Sequence, residues 1–231
     1  MPTKPHLVVL TGAGISAESG LQTFRDADGL WEGHAIEDVA TPAAWARNPA
    51  LVLQFYNHRR AGVLAAEPNA AHRGLAQLEA HYRVSIITQN IDDLHERAGS
   101  TRVLHLHGEI GKMRSEQTES LIYPISGDIN LGDLAEDGAQ LRPHIVWFGE
   151  PVPLIEDAAR MVQDADLFVV VGTSLVVYPA AGLVDIAPRQ APRFIVDKKI
   201  PYSAALQGVT AIEKPASEGV AALVQLLTSS R

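Results

Sequence analysis

His107 is the side chain in this sequence best placed to move a proton. It closes the apolar run Leu104-His105-Leu106-His107-Gly108 where a strand would open onto a polar cleft, and an imidazole there can act as a general base. Thr88-Gln89-Asn90-Ile91-Asp92 ends another apolar run with three hydrogen-bonding side chains in four positions, more than one helix cap requires. Gln89, Asn90 and Asp92 have the groups to grip a carboxamide and ribose hydroxyls. Gly12-Ala13-Gly14-Ile15-Ser16-Ala17 fits G-x-G-x-x-A, in which glycines let the backbone approach a pyrophosphate seated on a helix N-terminus. The acidic residue of an ordinary dehydrogenase fingerprint is missing, because Glu37 and Asp38, at about the right spacing, fall in an irregular stretch. His105 shares a strand face with His107, but a metal held by these two would lack a third ligand.

These strings depend on the elements that carry them. Apolar runs at Leu7–Leu10, Val84–Ile87, Val103–Leu106, Leu167–Val171 and Phe194–Val196 are short, β-branched and bounded by turn residues, as buried parallel strands are, with Val209–Ile212 as a sixth candidate. Helical patterns cover Pro49–Ala65, Ala70–His81, Ile155–Gln163 and Ser217–Leu227. The alternation predicts an α/β fold, a Rossmann-like doubly wound parallel sheet, with every chemical string at one sheet edge. Two stretches interrupt it. Gln22–Ala43 reads as a ligand-covering loop, and the polar Lys112–Gln140 as a small inserted subdomain. A single domain over 1–231 is expected, with a large part near 1–21, 67–111 and 142–231 and a small part near 22–66 and 112–141.

Bulk properties narrow the function. A formal charge of −8 and no basic cluster argue against nucleic acid as a partner. No run of 18 apolar residues and no signal-peptide pattern appear, so a cytoplasmic location away from membranes is expected. With zero cysteines there is no disulfide, no thiol nucleophile and no thiolate metal site.

In combination and order the strings resemble the sirtuin family of NAD-dependent protein deacylases over about Leu7–Leu227. The resemblance rests on Gly12–Ser16, Gly20-Leu21-Gln22-Thr23-Phe24-Arg25, Thr88–Asp92, His107-Gly108, Arg142-Pro143-His144-Ile145-Val146-Trp147-Phe148-Gly149-Glu150 and Gly172-Thr173-Ser174. It implies that NAD is consumed as co-substrate. Gly12, Ala13, Gly14 and Ser16 with Thr23, Phe24 and Arg25 would hold the diphosphate and cover the nicotinamide ribose. Asn90, Ile91 and Asp92 would line the nicotinamide pocket, Gln89 would orient ribose, and His107 would be the base, with Asn90 and Asp92 beside it in catalysis. Gly172, Thr173, Ser174, Asp197, Lys198 and Ala216 occupy the places of the adenosine half. Asp197 stands where the family usually has Asn, and a carboxylate still accepts from ribose hydroxyls. Val146, Phe148, Gly149 and Glu150 would wall a groove in which an acyl-lysine peptide adds as a strand.

Tyr56 and Arg59, three apart on the helix Pro49–Ala65, share a face with Val52 and Val63. A guanidinium can pair bidentately with a carboxylate while a phenol adds a third hydrogen bond. The pair resembles the sirtuin branch that removes succinyl and malonyl groups, and Ala40 matches that branch's small residue. Sirtuins usually carry a four-cysteine zinc module after the catalytic His, yet Ser115 stands at the first position and no thiol follows. The insert is therefore expected to lack zinc, ordered by packing of Leu121, Ile122, Tyr123, Ile125, Ile129, Leu131 and Leu134 on the main sheet. Mono-ADP-ribosyl transfer to protein would use the same NAD site. A non-catalytic NAD or ADP-ribose sensor would have lost the base, and His107 is present.

Overall fold

The computed structural model describes residues 4–23, 30–31, 33–201 and 206–229. In chain order the strands are β1 (His6–Thr11), β2 (Leu30–Trp31), β3 (His34–Ala35), β4 (Arg83–Thr88), β5 (Val103–His105) and β6 (Gly108–Ser115). They continue with β7 (Ile122–Pro124), β8 (Leu141–Ile145), β9 (Leu167–Val171), β10 (Arg193–Asp197) and β11 (Thr210–Glu213). The α-helices are α1 (Ile36–Val39), α2 (Pro42–Arg47), α3 (Pro49–Ala65), α4 (Ala70–Gln77), α5 (Leu94–Arg97), α6 (Ile155–Gln163) and α7 (Ala216–Ser229). Among the described residues no helix is long and apolar enough to cross a membrane.

All six residues of β1 are buried. A strand apolar on both faces needs cover on both, which helices in a parallel sheet supply. β1 pairs in parallel with β4 and with β9, and the six-stranded order is β11-β10-β9-β1-β4-β5. One face of this sheet packs Leu7 and Val9 against Leu75 of α4 and Val220 and Leu223 of α7. The other packs Val8 and Leu10 against Ala158 and Val162 of α6 and the 3-10 segment Ala180–Ile186. Each such buried aliphatic side chain contributes about 1.5–3 kcal/mol. The chain runs outward from β1 to β5, then returns to build β9, β10 and β11 on the opposite side. The reversal between β1 and β9 opens a crevice at their carboxyl ends.

The two interrupting stretches hold more structure than the sequence predicts. Gln22–Ala43 contains β2, β3, α1 and the start of α2, elements too short to show a period. Lys112–Gln140 contains β7 and half of β6, and the antiparallel sheet β7-β6-β8 draws on residues flanking it on both sides. β6 reads Gly-Glu-Ile-Gly-Lys-Met-Arg-Ser, and its buried Arg114 and Ser115, on opposite faces of the strand, leave no apolar alternation to read. The expected packing of the insert on the main sheet is not observed. Ile129 packs instead with Leu53 of α3, Ala135 and Leu141, flanked by Trp45, Tyr123 and Ile125. Ile122, Leu131 and Leu134 are exposed. The helix pattern at Ala70–His81 resolves into α4 and a 3-10 turn, Leu78–Ala80.

Polar bonds close this insert. Ser115, fully buried, accepts from the amides of Gln117 (3.1 Å) and Thr118 (3.0 Å) and donates to Asp137 Oδ2 at 2.7 Å. Asp137 Oδ1 accepts from the amide of Ala139 at 3.1 Å. Removing the hydroxyl in Ser115→Ala leaves two amides without their acceptor, a cost of roughly 1–2 kcal/mol. Calorimetry should show a Tm several degrees lower, and an unchanged Tm would mean that the clasp does not stabilise the fold.

Candidate active site

Loops from the ends of β1, β4 and β9 meet backbone to backbone. The Gly12 amide donates to Val171 O at 3.1 Å and that of Gly14 to Gly172 O at 2.8 Å. A Cβ on Gly14 would lie 2.7 Å from Gly172 Cα, and one on Gly12 would lie 2.7 Å from Thr173 Cβ. Gly172 has φ +63° and no room for a side chain against Gly14 and Ile15. Gln89 joins the third loop to the other two, its amide donating to Thr11 O (2.9 Å) and its Nε2 to Thr173 Oγ1 (3.1 Å). Gly12, Ala13, Gly14, Ser16, Gln89, Gly172 and Thr173 are thus brought together, with Ser174 next along the chain. Leu175 follows at φ 57°, a left-handed conformation for a bulky residue at the ligand edge.

Beneath these loops lies a buried polar cluster. Ser16 Oγ donates to Asp92 Oδ2 and accepts from Asn90 Nδ2, each at 3.0 Å. Asp92 Oδ1 accepts from the Leu94 amide at 3.2 Å. Burial raises the pKa of Asp92, against the pull of these two donors. His72 Nε2 lies 3.5 Å from Ser16 Oγ, and its ring meets that of His95 edge to face at 4.9 Å. His95 Nε2 shares a hydrogen bond with Thr11 Oγ1 at 3.1 Å. Burial lowers His72 to about 4 and takes His95 well below its ordinary value.

His107 Nδ1 lies 3.0 Å from Gln89 O. A carbonyl only accepts, so Nδ1 carries the proton and Nε2 of the neutral ring keeps its lone pair. Burial also lowers the His107 pKa, more than the Gln89 bond raises it, which favours that neutral ring. His105 is engaged differently. Its Nε2 pairs with Glu96 Oε1 at 2.8 Å and its Nδ1 faces Asn90 O at 3.3 Å. Burial would lower its pKa, but the Glu96 carboxylate outweighs burial and raises it.

A second cluster adjoins His107. The amide of Val146 donates to His107 O and that of Phe148 to Ala40 O, both at 3.0 Å. Ala40, Tyr56, Trp31 and Trp147 are buried in one core group with Val52 and Val63. Arg59 is 8% exposed, not solvent-facing, and its guanidinium carbon stands 4.3 Å over the Trp31 ring. Burial raises the Tyr56 pKa well above its ordinary value, so the phenol stays protonated. Glu150, expected in the groove wall, turns its carboxylate inward to Arg142 and the Trp147 amide. Phe148 and Gly149 are exposed.

Asp197 is buried at the end of β10, Lys198 is exposed, and Ala216 begins α7, whose Ser217 amide donates to Glu18 Oε2 at 2.8 Å. Thr23 is half-buried, while Phe24 and Arg25 lie outside the described residues. Sequence reasoning missed His72, His95 and Trp31. Only His72 left a local signal, as the third residue of the helix capped by Asn69, whose amide its ring accepts at 3.3 Å.

A profile of the Sir2 family matches residues 12–179. The chain belongs to the Sir2 family. An NAD-dependent protein deacylase of Helicobacter pylori is 56% identical over 211 residues, covering 91% of this chain and 92% of that one. One of Bacteroides thetaiotaomicron is 51% identical over 228 residues, covering 96% and 97%. The crystal structure of a Sir2 homologue in complex with NAD superposes with a TM-score of 0.87 at 37% identity, covering 98% and 91%. The insert offers Ser115, Thr118, Asp137 and Gln140, oxygen and amide groups with no thiolate among them. Ser115 and Asp137 bond to each other, and Gln140 Nε2 donates to the carbonyls of Asn130 (2.9 Å) and Asp133 (3.1 Å). This set does not fit structural zinc.

The buried histidines give the protein an acid limit. His72, His95 and His107 have lowered pKa values when folded, so the unfolded chain binds more protons below about pH 6.5. Stability should fall as pH drops from there, with His72 alone accounting for on the order of 3 kcal/mol by about pH 4. His105, raised by Glu96, acts with opposite sign and loses its contribution as pH rises. His72→Gln should flatten the dependence of Tm on pH between 6.5 and 4, whereas a slope equal to wild type would show that His72 is not held neutral.

Proposed function

We propose that this chain is an NAD-dependent protein-lysine deacylase of the cytoplasm, removing acetyl and also succinyl or malonyl groups. The observation that carries the reading is the His107 Nδ1 bond to Gln89 O, which leaves Nε2 as a base at the sheet edge where the glycine loops, Asn90 and Asp92 converge. When bound, NAD supplies an electrophilic ribose C1′ with nicotinamide as leaving group, and the acyl group ends on ADP-ribose. Asn90 and Asp92 hold the nicotinamide end, oriented through Ser16. Gln89 aligns ribose, and His107 Nε2 takes a proton from a ribose hydroxyl once the acyl oxygen is engaged. Gly12, Gly14, Gly172 and Thr173 seat the diphosphate and adenosine side.

Acyl preference rests on the cluster beside the base. Arg59 is buried against Trp31 and shares a helix face with a protonated Tyr56, so an acidic acyl chain passing Ala40 would meet a desolvated cation and a phenol donor. The insert, with oxygen groups in place of thiolates, is read as holding its shape without zinc.

Matched acetyl-lysine and succinyl-lysine peptides, incubated with and without NAD and followed by mass spectrometry, test the reading. NAD-dependent loss of the acyl group with O-acyl-ADP-ribose formed is expected. If neither peptide is deacylated, ADP-ribose transfer to protein or a sensor role takes its place. His107→Ala should abolish turnover and leave NAD binding largely intact. Arg59→Met should reduce desuccinylation roughly tenfold or more relative to deacetylation, as loss of a charged hydrogen bond does. Equal losses would remove Arg59 from acyl recognition. Metal analysis of the purified protein should find no stoichiometric zinc.

A further inference from the structure

The segment after β8 is tied from within. Glu150 Oε2 accepts from the Trp147 amide at 2.7 Å, while the Glu150 amide donates to Trp147 O at 3.0 Å, closing a turn through Gly149 at φ +90°. Arg142 grips the same carboxylate with NH1 at 2.8 Å and NH2 at 3.2 Å, and NH2 also donates to Ile145 O at 2.9 Å. Its guanidinium carbon stands 3.3 Å from the centroid of the Trp147 ring. Arg114 of β6 lies directly across the strand pair from Arg142, and its NH2 is 3.7 Å from Glu150 Oε1. Both arginines are buried, at 8% and 6% exposed; Arg142 is bound to Glu150, while Arg114 stands between Glu150 and the exposed Glu119, whose Oε1 is 3.2 Å away. Burial would raise the Glu150 pKa, but the Arg142 hydrogen bond and the charges of both arginines lower it.

Trp147 transmits this arrangement. It is 2% exposed, and its ring lies 6.5 Å from that of Tyr56 and 5.7 Å from that of Trp45. Its chain neighbours Val146 and Phe148 bond to His107 O and Ala40 O. One turn therefore fixes the backbone beside the base and the wall behind the phenol. From this geometry we infer that Arg142 and Glu150 are positioning residues for the acylated substrate, acting through Trp147 on Tyr56 and on the groove strand without touching substrate themselves. The inference rests on the deacylase reading and assigns the antiparallel sheet a part in acyl selection, since β6 and β8 carry both arginines.

Steady-state kinetics on the full chain test this. Glu150→Gln should raise KM for a succinyl-lysine peptide about tenfold, with the KM for NAD little changed and a smaller rise for the acetyl peptide. Arg142→Lys keeps the charge but loses the planar fork and the stacking, and should raise the same KM by an intermediate factor. Should Glu150→Gln fail to fold, leaving Arg142 short of its partner, the double variant Arg142→Gln/Glu150→Gln removes the imbalance and should keep the peptide defect. Folded variants with peptide and NAD KM values both at wild-type level, or both shifted equally, would overturn the inference while wild-type turnover upheld the deacylase reading. A wild-type protein that deacylates neither peptide would bring down both.

Discussion

The loops after β1 and β9 touch backbone to backbone, and the site is arranged around that contact. Gly14 and Gly172 leave no volume for a side chain between them, so the crevice at the strand-order reversal has a floor made of amides and carbonyls. The two amide bonds from Gly12 and Gly14 set how far the crevice opens. Gln89 then draws in the third strand end through Thr11 and Thr173. The glycines serve packing before they serve a ligand, because the close approach is complete in the protein alone. A phosphate-bearing ligand would find its cradle already shaped, with little ordering left to oppose binding.

Under that floor, polar groups replace apolar ones at the point where a core would ordinarily continue. Ser16, Asn90, Asp92, His72, His95 and Thr11 are all buried, and each has at least one partner in the group or the adjoining backbone. Such a cluster has high stakes in a low-dielectric setting, since every partner lost leaves a desolvated group behind. It holds Asn90 and Asp92 in one orientation, and it costs the protein tolerance to acid. The aromatic group around Tyr56 is the complement, a dry wall in which the charged groups are stacked on rings.

The parallel sheet was legible because its strands are continuous apolar runs, and the chemical strings could be placed at its edge because each follows such a run directly. α3 was readable to the residue from its period, with Asn48 capping Leu51 and Pro49 opening the first turn. The antiparallel sheet was hidden because it buries Arg114, Arg142 and Ser115 at positions where periodicity expects apolar residues. Glu150 read as part of the groove wall because a family resemblance carries over position along the chain and says nothing of where a carboxylate turns. The His72–His95 contact links residues far apart in sequence and leaves no periodic trace.

Adjacent arginines on α3 face different duties. Arg59 stacks on Trp31, whereas Arg60 donates to Ile110 O at 2.8 Å, Gly127 O at 3.1 Å and Asn57 Oδ1 at 2.8 Å, with Asn57 also paired to the backbone of Ile129. One flank of the helix meets the aromatic group around Trp31 and the next is bolted to the insert. An inserted residue would rotate everything beyond it by about 100° and unseat both flanks together. Side-chain exchanges at 56 and 59 would leave the Arg60 anchor in place, whereas a change in helix length would not.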